Sequence, residues 1–182
     1  SSIPFLSMDT RWGHRMGDAV LIDAMYRDGY TCGIRGEHMG ALTDDLGKRY
    51  EISRDEQDRF ALESQQKAAK GKQNGFYARM IVPMEIKQSR GAPIVFQEDE
   101  HARPDTTLET LGRLPRAFRP DGTITAGNAS GITDGAAAMV VMSKTKAREL
   151  GLKPLGNIIS YATAATVPQD FGIAPVAASR KA

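Results

Sequence analysis

The residues of this chain with types suited to chemistry are few and scattered. The three histidines, His14, His38 and His101, stand in unrelated stretches, and the single cysteine, Cys32, lies in Tyr30-Thr-Cys-Gly33. Nucleophilic catalysis needs a thiol or hydroxyl with a base within hydrogen-bonding reach. No Gly-x-Ser-x-Gly elbow, His-Glu-x-x-His helix or phosphate-cradling P-loop occurs in the sequence to supply one locally. A lone cysteine more often packs as a small hydrophobe than attacks a substrate, so Cys32 is read as inert. One cysteine also excludes an internal disulfide framework and any multi-cysteine metal site, which suits a reducing compartment, and no metal is expected.

The elements that would position such residues are better marked. The stretch from Ser1 to Gly17 has no helical or strand period and reads as an extended loop, after which Asp18 is expected to cap a short helix running to about Asp28. A helical pattern covers Met39 to Tyr50. Ser53 with Glu56 three residues later forms a capping box that opens a longer helix, with Phe60, Ala61, Ser64 and Ala68 as its apolar or small stripe. Met80 to Ile86 reads as an edge strand because Pro83 cannot donate to a ladder, and Ile94 to Phe96 as a second short strand. Polar, proline-set turns from Gln97 to Gly122 surround a short helix near Thr107 to Gly112, and an irregular stretch of that size in a compact chain is usually functional.

Beyond it the composition changes. The small and apolar runs Asp134 to Met142 and Leu155 to Ala162 have the signature of strands buried on both faces. Ser143 caps the helix between them, Gly151 ends it, and Pro175 starts a last helix. No comparable strands lie upstream to complete a sheet, so the partners of these two are expected on chain outside this sequence or on another molecule.

With 182 residues, 41% of them hydrophobic, the chain can bury one sizeable core or a domain plus pieces of a neighbour. Twenty-four Lys and Arg are interspersed with 22 Asp and Glu, which gives no support to nucleic-acid binding. No apolar run approaches the roughly 20 residues that span a bilayer, so a soluble protein is expected, without membrane partners.

Several segments, in order, carry a resemblance: Arg11-Trp-Gly-His-Arg-Met-Gly17, His38-Met-Gly40, Ser53-Arg-Asp-Glu-Gln-Asp58, Arg103-Pro-Asp-Thr106, Gly127-Asn-Ala-Ser-Gly-Ile-Thr-Asp-Gly-Ala-Ala137, Gly151-Leu-Lys-Pro154 and Gly172-Ile-Ala-Pro-Val176. Together they resemble the thiolases over nearly the whole chain. The resemblance implies an α/β fold: a loop (lid) domain of helices and short strands over residues 3–126, the end of the first α/β core half over 127–153, and the truncated start of the second half over 154–182. It implies an acetyl-CoA C-acetyltransferase of the short-chain type, moving acyl groups between thioesters through an acyl-cysteine. The family's Gly-His-Pro histidine and Cys-x-Gly-Gly-Gly cysteine motifs do not occur here, and its nucleophilic cysteine precedes the region matched, so no catalytic residue is assigned to this chain.

Coenzyme A or acetyl-CoA is implied as substrate, with no covalently bound cofactor. Arg103 matches a family arginine at the adenine nucleotide end of coenzyme A, where a guanidinium stacks on a base or pairs with phosphate. Ser130 matches the serine that hydrogen-bonds the pantetheine arm, with Ala126, Gly127 and Ala129 keeping the wall low beside it. Thr110 falls where many relatives carry a ligand-contacting serine, and Tyr30 and Phe118 match groove-lining groups. His38 and Met39 match the pair bordering the acyl pocket of acetoacetyl-CoA-type thiolases, although Ala41-Leu-Thr-Asp-Asp45 departs from the more typical Thr-x-Ala-Glu-Asn and leaves acyl length open. His14 and His101 receive no role.

Phe5 to Met25 matches the segment through which such enzymes form a dimer of dimers, with Trp12 as anchor, so a homo-oligomer is implied for the complete protein. Bacterial cytoplasm and mitochondrial matrix both fit. Three functions stay open from sequence: a section of an acetyltransferase completed by the remainder of its chain, a stand-alone or split-partner acyl-CoA-binding module, or a remnant without ligand.

Overall fold

The computed structural model describes residues 2–182, and the chain divides into two compact units. One takes in the chain up to Leu46 together with Asp134–Ala182, and the other is Gly47–Thr133.

In the first unit β1 (Phe5–Leu6) pairs antiparallel with β2 (Ile22–Asp23), Phe5 opposite Asp23 and Leu6 opposite Ile22. The helix expected from Asp18 does not form there. Asp23 is the residue that starts a helical segment, its Oδ1 accepting from the amides of Met25 at 2.8 Å and Tyr26 at 3.4 Å, and the chain continues as a π-helical turn, Met25–Tyr30. Strand pairing takes Ile22 and Asp23, inside the span expected to be helical, and the turn that follows has only six residues. Helix α1 (Met39–Arg49) comes next, with Leu42 and Asp44 both buried although they lie on opposite sides of it.

Later in this unit, α4 (Lys144–Glu149) is capped by the Ser143 hydroxyl, which accepts from the Lys146 amide at 3.1 Å, and the chain leaves it through Gly151 at φ +65°, a conformation glycine adopts without Cβ strain. Pro175 sits in the first turn of α5 (Ala174–Lys181), as expected. The two runs read as buried strands differ from expectation. Asp134 to Met142 and Leu155 to Ala162 take part in no ladder among the described residues, and Val140 and Ile159 stand 82% and 89% exposed. Their pattern requires cover on both faces, and the described residues do not supply it.

The second unit is built on α2 (Arg54–Gln73), which opens with the capping box expected: the Glu56 amide donates to Ser53 Oγ at 3.2 Å while Glu56 Oε2 accepts from the Ser53 amide at 2.8 Å. The face it turns inward matches the expected stripe only in part. Ala61 and Ala68 are half-buried as expected, but Phe60 is 73% exposed and Ser64 exposed, whereas Asp58 is buried and Arg54, Leu62 and Gln65 are half-buried. The interior here is organised around an ion pair, which apolar periodicity does not register.

After α2 a hairpin of β3 (Met84–Ile86) and β4 (Ile94–Phe96) pairs Glu85 with Val95, so the first strand begins just past Pro83 rather than at Met80. The short helix α3 (Leu108–Gly112) packs on α2, with Thr107 and Thr110 as its own capping box and Leu111 buried.

Candidate functional site

In the Gly47–Thr133 unit, the predicted ligand-contacting residues gather around the turn that begins at Thr125. Thr125 is fully buried. Its amide donates to Asn128 Oδ1 at 2.8 Å, its Oγ1 accepts from the Gly127 amide at 3.2 Å, and its carbonyl accepts from the Ala129 amide at 3.0 Å. The backbone of 125–129 is therefore folded over one threonine. Ala126 and Ser130 are exposed and Ala129 is half-buried. Gly127 faces inward: a Cβ there would lie 2.5 Å from Leu111 Cδ2 and 2.5 Å from Leu114 Cδ1, so the close packing of turn against α3 needs glycine.

Beneath the turn lies a group of residues that periodicity did not flag. Asn128 Nδ2 donates to Asp58 Oδ1 at 2.9 Å and to the Thr123 carbonyl at 3.2 Å. Asp58 Oδ2 accepts from Arg54 Nε at 2.7 Å, and Arg54 Nη2 donates to the carbonyls of Leu111 at 2.6 Å and Leu114 at 3.4 Å. One signal for Asn128 was available: an asparagine beside small residues suits a side chain folding back on the local backbone. Nothing local announces its partner 70 residues earlier.

Arg103 is held through its backbone, its amide donating to Gln65 Oε1 at 2.8 Å and its carbonyl accepting from Thr106 Oγ1 at 2.7 Å. The guanidinium is exposed and forms no ion pair among the described residues. His101 lies over Gly131, where a Cβ would come within 2.2 Å of the ring's Cε1. The segment carrying Arg103 thus reaches the residue next to Ser130, a contact that gives His101 a packing role its sequence context did not announce. Thr110 has its hydroxyl engaged in capping α3, donating to the Thr107 carbonyl at 2.9 Å and accepting from the Thr107 amide at 3.1 Å. Phe118 lies on the arm returning toward Thr125, where Arg116 and Thr125 bridge. An open pocket of about 410 Å³ lined by Ile52, Glu56, Gln57, Phe60 and Asn128 includes none of the predicted contact residues.

The other unit brings together Tyr30, His38 and Met39. Thr31 bridges His38, and a tight turn between them bonds the Cys32 amide to the Glu37 carbonyl at 2.8 Å, which makes Cys32 part of a turn rather than of a catalytic pair. His38 Nδ1 accepts from the Gly40 amide at 3.0 Å at the start of α1, so a neutral ring carries its proton on Nε2. The imidazole stacks with Tyr30 at 6.0 Å between centroids and meets Tyr26 at 5.0 Å. Tyr26 carries no family motif, though its spacing of four from Tyr30 puts both on one turn. Among the described residues no cluster of His, Cys, Asp and Glu is arranged to hold a metal, and no helix is long and apolar enough to cross a membrane.

Comparison with known proteins converges on one family. Residues 1–145 match the family model described as the thiolase N-terminal domain. A probable acetyl-CoA acyltransferase of Staphylococcus epidermidis is 46% identical over all 182 residues, and its counterpart in Staphylococcus aureus 47%. The chain spans 46% of the length of each. Among solved structures, the acetyl-CoA acetyltransferase of Bacillus anthracis is 42% identical with a TM-score of 0.91, covering 98% of this chain and 45% of its own. The human mitochondrial 3-ketoacyl-CoA thiolase is 36% identical with a TM-score of 0.90, covering 99% of this chain and 45% of its own. With likeness of this extent in both sequence and backbone, the chain belongs to the thiolase family and has the thiolase fold.

Proposed function

We propose that this chain is the section of an acetyl-CoA C-acetyltransferase that holds coenzyme A and shapes the acyl pocket. The observation that carries the reading is the turn after Thr125, which leaves Ser130 and Ala126 exposed beside the segment of an unpaired, exposed Arg103. On this reading the guanidinium of Arg103 engages the nucleotide end of the coenzyme. Ser130 bonds the pantetheine arm, and Ala126, Ala129, Phe118 and Thr110 form the groove around it. Within the other unit, Tyr30 is read as an aromatic wall, and His38 and Met39 as residues that border an acyl group. The His38 Nδ1 contact with the Gly40 amide supports a ring that presents Nε2–H as donor. Residues 3–126 are then the lid or loop domain, 127–153 the end of one core half and 154–182 the start of the next.

The reaction requires a thiolate to attack a thioester carbonyl and donors to hold the oxyanion. No cysteine and histidine in catalytic arrangement lie in these 182 residues, so the acyl-cysteine belongs to the remainder of the chain or to a complementary polypeptide, and this chain alone is inactive. The exposed apolar runs 134–142 and 155–162 support such a partner, since they ask for strands on both sides. Trp12 and Met16, 94% and 91% exposed, support a homo-oligomer, dimer or tetramer, formed through the first segment.

Calorimetric titration with coenzyme A tests the site. Arg103→Ala should weaken binding by about tenfold or more and Ser130→Ala by roughly two- to tenfold, from the worth of charged and neutral hydrogen bonds. No heat of binding from the unmodified protein would refute the reading and leave a remnant without ligand.

A further inference from the structure

Asp58 is 4% exposed, and both of its carboxylate oxygens are engaged. Oδ2 takes the Arg54 Nε bond at 2.7 Å and Oδ1 the Asn128 amide at 2.9 Å. Arg54 continues to the carbonyls at the end of α3, and Asn128 Oδ1 continues to the Thr125 amide. One carboxylate on α2 therefore fastens two segments, the end of α3 and the turn 125–129. Apolar packing would hold these segments close without fixing their angle. Hydrogen bonds from a buried charge are directional, and leaving any of them unmade is costly, so they hold the turn in one orientation.

We infer that Asp58 and Asn128 are positioning residues for the ligand groove: their hydrogen bond sets the backbone from Thr125 onward, and so the place from which Ser130 meets its ligand. Neither touches the ligand. The inference rests on the coenzyme A reading for its consequence, while the positioning is measurable without ligand. Arg54 neutralises the pair's charge and couples it to α3, whose buried Leu111 lies under Gly127.

Exchanging the two residues separates positioning from mere stability. Asp58→Asn alone faces two amides and removes the counter-charge of Arg54, and Asn128→Asp alone faces two carboxylates. In the double variant D58N/N128D, the amide on α2 donates to the carboxylate on the turn, its oxygen still accepts from Arg54, and the turn's carboxylate still accepts from the Thr125 amide. The bond from position 128 to the Thr123 carbonyl, 3.2 Å long, is lost, and the charge that balances Arg54 moves from position 58 to position 128. Each single variant should weaken coenzyme A binding to the protein about tenfold, and the double variant should return to within about threefold of the unmodified protein. Amide hydrogen exchange at Gly127 to Ser130 should rise in both single variants and fall back in the double one. Unchanged binding in the single variants, or a double variant showing the product of the two losses, overturns the inference. If the unmodified protein takes up no coenzyme A, the coenzyme reading falls by itself and exchange decides the positioning: recovery in the double variant sustains it, and equal exchange in all four proteins overturns it.

Discussion

Gly127→Ala puts the packing of the ligand turn to a quantitative test. The added Cβ would lie 2.5 Å from a methyl of Leu111 and 2.5 Å from a methyl of Leu114. Carbon atoms pack at about 3.5–4.0 Å, so each contact must open by more than about 1 Å. Leu111, 4% exposed, has little room to yield, whereas Leu114 is half-buried and its methyl can swing outward. Moving the turn instead would lengthen the Asn128–Asp58 bond. Overpacking of this kind costs roughly 1–3 kcal/mol, and with one leucine able to give way the expected loss is about 1–2 kcal/mol. Urea denaturation of the Gly127→Ala protein measures it as a lower midpoint at unchanged slope. Gly135→Ala is the control, because nothing lies within 4 Å of a Cβ there, and it should stay within about 0.5 kcal/mol of the unmodified protein. A Gly127→Ala protein as stable as this control would refute the close packing of turn on α3, and with it the argument that Gly127 is required there.

The same geometry sets further expectations. Ser53→Ala removes the oxygen that accepts from the Glu56 amide at the start of α2 and should lower stability by about 1 kcal/mol in denaturant titration, with Ser53→Asn closer to the unmodified protein. The carboxyls of Glu56, Asp28 and Asp121 are each held below the ordinary range, first by side-chain hydrogen bonds from Ser53, Arg27 and Lys48 respectively. Depressed carboxylates contribute stability that is present above their unfolded value of about 4 and lost as pH falls through their lower folded values. The unfolding midpoint should therefore drop on acidification below about pH 4, and Glu56→Gln should flatten that drop; an unchanged slope would count against the capping box as its source. Since Arg27–Asp28 and Lys48–Asp121 are exposed pairs, their share should shrink in high salt.

What was legible in the sequence was what is local in it. Ser53 with Glu56 at the head of α2, and Ser143 with Gly151 around α4, each specify an end through residues three to eight apart, and both helices begin where the cap predicts. Asp18 failed as a cap because β1, some 17 residues earlier in the chain than its partner, takes Ile22 and Asp23 into a ladder and passes capping to Asp23. The inner face of α2 was legible only in part, because the structure buries Asp58 and leaves Phe60 outside, an arrangement that makes sense only once Arg54 and Asn128 are seen to satisfy the carboxylate. The predicted contact residues were named from family motifs; Arg54, Asp58 and Asn128 lie in the same motifs, but nothing local to either motif shows that Asp58 and Asn128 meet across 70 residues.

On the coenzyme A reading, that difference bears on how the fold serves binding. A groove for a long, flexible ligand gains from residues whose own freedom is already spent before the ligand arrives, because ordering them on binding would weaken it. The turn after Thr125 meets this requirement by internal bonds: a fully buried threonine at its centre, a glycine pressed on two leucines, and an asparagine tied to a buried carboxylate. Arg103 is different. Its backbone is anchored at Gln65 and Thr106 while its guanidinium projects into solvent. Such an arginine supplies long-range attraction for an anionic group and adapts its rotamer to it, at a cost in side-chain entropy that charge-assisted bonds offset. On the coenzyme A reading proposed above, the rigid turn and the adaptable arginine serve different parts of one ligand: shape for the narrow arm, charge for the nucleotide end. On this division, loosening the turn at Asp58 and Asn128 should raise the dissociation rate of coenzyme A and leave the salt dependence of its association alone, whereas Arg103→Ala should raise dissociation and also reduce that salt dependence, and stopped-flow binding at two salt concentrations tells the two apart.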